Sequence, residues 1–227
     1  MKLGEKGYRG RDLLMNKINT IFMSAVLSLF LSGIAYGATN FIIIKLPKSV
    51  AIDLPRNWVI ISNNERTTLD TWVESTYDLK NLPKVDSNLP FAANYYTGGV
   101  TAGIINARYY HDMEITQSDA ELLTDGDVAY LDQEIKNNMI PSMERVGITV
   151  TSWEGTGKRT INGITTFVTE YHRKSIRGNG IFRVRLVRVL AGSRSFTLTV
   201  SYLESQQLFL RNITDRIISS LTMAGIR

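Results

Sequence analysis

The sequence has no cysteine, only two histidines and only five prolines in 227 residues. Without thiols there are no disulfides, zinc–thiolate sites, thiol nucleophiles or redox pairs. A domain of this size manages without disulfides even in an oxidising compartment. Nor is there a strong excess of one charge. The formal net charge of +5 sits largely in the first 37 residues, where five Lys and Arg face two Asp and Glu, and +2 is left for the rest. A nearly neutral body offers no electrostatic case for nucleic acid.

Long apolar runs are also scarce. The one present is IFMSAVLSLFLSGIA at residues 21–35. Lys17 precedes it as a positive n-region, and Ala35 and Gly37 stand at the −3 and −1 positions of a cleavage site before Ala38. A spanning helix needs roughly 20 apolar residues, and this run is shorter and interrupted by Ser24, Ser28, Ser32 and Gly33. Residues 1–37 therefore read as a signal peptide, with Met15 a possible true start. Periplasmic or extracellular location after Sec-type export is the expectation. Lipid attachment through an N-terminal Cys is excluded, and a membrane role follows only if the segment is retained uncleaved.

Residues 38–227 read as a single α+β domain, with no repeat, low-complexity tract or dividing linker. FIIIKLP and SVAIDLP predict short strands, each ending at a proline, with Lys48 in the tight connection. WVIIS at 58–62 predicts a third. Leu69, Trp72, Val73 and Thr76 recur at helical spacing and predict a helix over 63–79, followed by a loop with Pro83 and Pro90. FAANYYT and TAGIINARYYH read as strands. Ser118 and Glu121 match a capping box, opening a helical region to about Arg145, broken near Asp125-Gly126 and kinked at Pro141. From Gly147 four strands separated by KRTING, RGNG and AGSR form an antiparallel meander. The chain closes on a helix with an apolar stripe at Leu208, Leu210, Ile213, Ile217, Ile218 and Leu221. The fold class is α+β, an antiparallel β-sheet meander covered by helices.

Three stretches in that order resemble the PsbP/Mog1-like superfamily. They are Ile52-Asp53-Leu54-Pro55-Arg56-Asn57-Trp58, the aromatic strand at 196–203, and the helix end at 217–221. The resemblance implies an α/β sandwich over nearly all of 41–223. Plant members assist photosystem II and eukaryotic members bind a small GTPase, so it implies no single task, and no functional residue is carried over.

Candidate chemistry is sparse. GTGK at 155–158 has Ser152 where a phosphate loop needs its first Gly and Arg159 where it needs Ser or Thr, so it reads as a turn. His111 and His172 lie in separate predicted strands. His111 with Asp112 and Glu114 falls short of a metal set of clear spacing. Asp125-Gly126-Asp127 lacks the further ligands of a calcium loop. No catalytic residue, metal ligand or cofactor is assigned.

The most suggestive feature is a basic hairpin: Arg173, Lys174 and Arg177 before the turn at 178–180, then Arg183, Arg185 and Arg188, with Arg194 beyond. Alternation puts Arg183 and Arg185 on one face and Phe182, Val184 and Leu186 on the other. The expectation is an apolar side packed under helices and a cationic outer face, partly neutralised by Glu170. Tyr95, Tyr96, Tyr109, Tyr110 and Tyr130 gather as further surface or groove candidates. The binding residues read from the sequence are thus Arg173, Lys174, Arg183, Arg185 and Arg188. The function read with them is a non-catalytic exported accessory protein engaging a protein or envelope component. The alternatives are a periplasmic hydrolase built around His111 and His172, and a membrane-tethered assembly factor.

Overall fold

A computed structural model of the chain describes residues 40–62, 91–110, 115–175, 180–192 and 195–225. The leader, the helix at 63–79 with its following loop, and His111, Asp112, Glu114, Arg177, Gly178, Asn179 and Arg194 lie outside the described residues.

The segments richest in β-branched and aromatic side chains form the strands. The N-terminal hairpin pairs β1 (Phe41–Leu46) with β2 (Val50–Pro55), Leu46 opposite Val50. Its turn holds Lys48 at φ 58° and Ser49 at φ 60°, the left-handed pair whose twist suits a tight hairpin. Next come β3 (Val59–Ile60), β4 (Phe91–Thr97) and β5 (Val100–Tyr110), then α1 (Gln117–Leu122) and α2 (Asp125–Arg145). The meander is β6 (Val150–Ile161), β7 (Ile164–Lys174), β8 (Ile181–Leu190) and β9 (Ser195–Leu203). A 3-10 turn (Glu204–Gln206), α3 (Gln207–Ser219) and β10 (Thr222–Met223) close the chain.

Two antiparallel sheets result. One has seven strands in the order β3-β4-β5-β9-β8-β7-β6, the other three in the order β1-β2-β10. The architecture is α+β, and Phe41–Arg227 makes one compact unit. On one face of the large sheet, Leu198, Val200 and Ile105 pack against Leu210, Ile213 and Ile217 of α3 and against Ile52 and Leu54 of the small sheet. The opposite face lies under α1 and α2. There Phe167 and Leu190 meet Ala120 and Val128, and Phe182 and Val184 meet Met139 and Met143. Among the described residues no helix is long and apolar enough to cross a membrane.

Local chemistry sets the element boundaries, some of them away from their expected places. The cap of α1 is Thr116, not Ser118: its hydroxyl receives the amide of Asp119, and the Asp119 carboxylate answers the Thr116 amide at 2.9 Å. Thr124 and Asp127 repeat the motif for α2, so the break falls just ahead of Asp125. GTGK is no turn but the interior of β6. The turn is Asn162-Gly163, at φ 48° and 78°, because Asn-Gly tolerates the two left-handed positions a two-residue hairpin demands. Pro141 is carried inside α2, which runs on to Arg145. Finally, Leu208 is 95 % exposed. The 3-10 turn ahead of α3 sets the helix phase, and the buried stripe starts at Leu210.

Candidate functional site

Among the described residues a cleft opens on either face of the large sheet. The first opens between β6, β7, β8 and α3 and encloses about 520 Å3. Strand alternation aims Arg159, Glu170, Arg183 and Arg185 at α3, which contributes Arg211 and Asp215. Glu170 is the hub: it accepts from Arg183 at 2.8 Å and from Arg159 at 3.4 Å. That pairing raises the Arg183 pKa, since hydrogen bonding to the carboxylate outweighs its partial burial. Arg185 donates to Asp215 and, at 2.6 Å, to the buried Thr214 hydroxyl. Arg211 is exposed and has no ion pair among the described residues. Four guanidinium groups thus face two carboxylates. Arg159, at 63 % exposed, and Arg211 are the cations open to an incoming acid.

The second cleft lies on the opposite face, beneath α2. It encloses about 320 Å3 and is overwhelmingly apolar, floored by Phe167, Leu186 and Leu190 and roofed by Leu131, Ile135 and Met139. One cation interrupts the floor, Arg188. Burial pushes its guanidinium below the usual value, opposed by nearby Tyr110.

The basic residues predicted from the sequence are divided between these faces. Arg183 and Arg185 share the α3 face, as alternation required. That face is not an open outer surface, because α3 covers it and Val187 and Val189 continue it into the main core. Arg188 has the other parity and lies under α2. Arg173 shares its side of the sheet, with its guanidinium 5.0 Å from the Phe182 ring centre. Lys174 is exposed at the end of β7. Glu170 neutralises part of the cluster, pairing with Arg183 alone among the predicted residues that are described. The two histidines are not brought together by any described contact: His172 Nδ1 lies 2.6 Å from Glu204, and His111 is outside the described residues. Lys158, from the supposed phosphate loop, donates instead to the Glu121 and Leu123 carbonyls at the end of α1, where a cation complements exposed carbonyls. Among the described residues no three His, Asp or Glu side chains gather as a metal site.

Of the tyrosines, Tyr109 is buried, donates to the Pro47 carbonyl, and has its pKa pushed up by burial to about 12. Tyr96 and Tyr130 are exposed, Tyr130 at the rim of the apolar cleft. Arg159, Arg211 and Asp215 were missed by sequence reasoning. Arg159 was readable, since placing the turn at Asn162-Gly163 extends β6 back through it. Nothing local marks Arg211 or Asp215, which meet the cleft only because α3 crosses the sheet there.

The fold has known counterparts. The solution structure of cyanobacterial PsbP (CyanoP) from Synechocystis sp. PCC 6803 superposes with a TM-score of 0.51 at 12% identity, covering 83% of this chain and 95% of that one. LpqN, involved in cell envelope biogenesis of Mycobacterium tuberculosis, gives 0.43 at 11% identity, covering 81% and 90%. The Saccharomyces cerevisiae Ran-binding protein Mog1p gives 0.41 at 8% identity, covering 82% and 96%. The CyanoP match establishes the PsbP/Mog1-like fold and, at this identity, the fold alone. No family model and no curated protein matches the sequence.

Proposed function

We propose that this chain is an exported accessory protein that acts by binding rather than catalysis, engaging acidic side chains of an envelope protein in the cleft beside α3. The carrying observation is the unbalanced charge there. Glu170 and Asp215 hold Arg183 and Arg185 in place, while Arg159 and Arg211 project into solvent. Arg159, held on one side by Glu170 at 3.4 Å, presents the rest of its planar fork to a carboxylate with little further loss of freedom, and Arg211 adds a second cation beside it. The leader read at residues 1–37 supports export. Such a partner is recognised by rim charges, so association weakens as salt rises.

The test is capture from an envelope fraction by the wild-type protein and by Arg159→Glu with Arg211→Glu. Both side chains are exposed, so even with the Arg159–Glu170 pair lost the melting temperature should fall by no more than a few degrees. The salt-sensitive partner should be lost from the double variant. Equal recovery by the two proteins would count against the cleft.

A further inference from the structure

The apolar cleft under α2 has a feature that simple packing does not explain. A cleft of this size and lining suits a small ligand, and its one cation lies at the floor rather than the rim. Leu186 and Leu190 flank Arg188 along β8, and Phe167 is its neighbour across the ladder on β7. On the other side, Thr197 of β9 stands directly opposite Arg188. Arg188 Nε and Thr197 Oγ1 are both buried, and neither has a hydrogen-bond partner among the described residues. Adjacent buried donors without acceptors are rare in folded proteins. A buried guanidinium edge in the cleft floor, with a hydroxyl on the paired strand behind it, offers donors to the two oxygens of a carboxylate. Among the described residues the acidic groups at this cleft, Asp127 and Glu134, are exposed, and the Asp127 carboxylate is committed to the Thr124 cap.

We propose that this cleft binds a single-chain fatty acid head first, its carboxylate on Arg188 and Thr197 and its hydrocarbon chain between the sheet and Leu131, Ile135 and Met139 of α2. Charge complementarity selects this occupant. A neutral chain supplies no charged acceptor to these donors, and the apolar lining favours a single hydrocarbon chain over a large polar headgroup. The site is on the far side of the sheet from the arginine-rich cleft and stands independently of the function proposed above.

Calorimetric titration of the purified protein with octanoate and decanoate below their micelle concentrations, and with decanol below its solubility limit, tests this directly. Each added methylene should tighten binding about fourfold while the cleft fills. Decanoate should bind roughly 10- to 100-fold more tightly than decanol. Arg188→Met should erase that preference and still bind decanol, which also shows that the variant is folded. Thr197→Val, of nearly unchanged shape, should weaken decanoate alone. Equal wild-type affinity for decanoate and decanol would overturn the proposal. So would no binding of either, or a preference unaltered in Arg188→Met.

Discussion

Trp58, the aromatic residue of the N-terminal motif, offers a sharp test of how the sheet is locked. Its ring is buried and packs at 5.9 Å, tilted by 32°, against Tyr95, which in turn lies 5.8 Å from Phe209 of α3. Gly103 on β5 lies directly beneath it. A Cβ built there falls 2.6 Å from Trp58 Cη2, 3.0 Å from Cζ2 and 3.3 Å from Tyr95 Cβ. Gly103 is not in the left-handed region, so Gly103→Ala meets a purely steric obstacle. Both obstructing side chains are held by packing, and relief requires moving a buried indole. Overpacking of this kind costs about 1–3 kcal/mol, or a melting-temperature drop of roughly 2–12 °C for a domain of this length. Gly157→Ala is the matched control. It lies in β6 with no atom within 4 Å of its Cβ position and no left-handed φ, and should be neutral or slightly stabilising. The assay is thermal unfolding followed by circular dichroism, with Trp58→Phe added to Gly103→Ala to complete a double-mutant cycle. The smaller ring should recover part of the loss. Gly103→Ala melting with the wild type, or strict additivity with Trp58→Phe, would refute the close contact.

The caps and the buried phenol set the ends of the pH range. Hydrogen bonds from Thr116 and Thr124 hold Asp119 and Asp127 below the usual carboxylate value of 3.8. Their stabilisation is complete above that value and lost as pH falls through the lower native values. Thr116→Ala with Thr124→Ala should therefore lower the melting temperature by a few degrees near neutrality. The deficit should narrow on acidification, measured by melting scans across the acid limb. Tyr109 is the opposite case. With its native pKa raised to about 12 from 10.0, its contribution is full below pH 10.0 and fades as pH climbs towards 12. Spectrophotometric titration should show one late-ionising phenol, absent in Tyr109→Phe.

The meander was legible because its determinants are local. Val and Thr alternation marks β7 to β9, and Asn162-Gly163 supplies a hairpin turn by itself. The placement of β9 beside β5 was not, since that register depends on the side chains each strand buries against α3 and the small sheet. Strand period alone put Arg183 and Arg185 together and identified Glu170 as a partial neutraliser, which pairs with Arg183 while Asp215 takes Arg185. The same period placed Arg188 on the opposite face. Grouping the arginines by their nearness in sequence hid that, and with it the apolar cleft. Arg211 and Asp215 were illegible for another reason. On α3 they alternate with buried Ile213 and Ile217 like any solvated polar face, and only tertiary packing turns that face towards Glu170. Leu208 shows the converse, an apolar residue at plausible helical spacing that the turn before α3 leaves in solvent.

Site-specific photo-crosslinking in intact cells interrogates the arginine-rich cleft without purifying a partner. A photoreactive residue in place of Ser219, exposed on the cleft lining and outside the binding arginines, is compared with one at Leu122, which is 80 % exposed at the end of α1 on the other side of the sheet. The expected result is one discrete adduct from position 219, lost when Arg159→Glu is added, and none from position 122. Adducts from position 122 alone, or a position 219 adduct indifferent to Arg159→Glu, would contradict binding through this cleft.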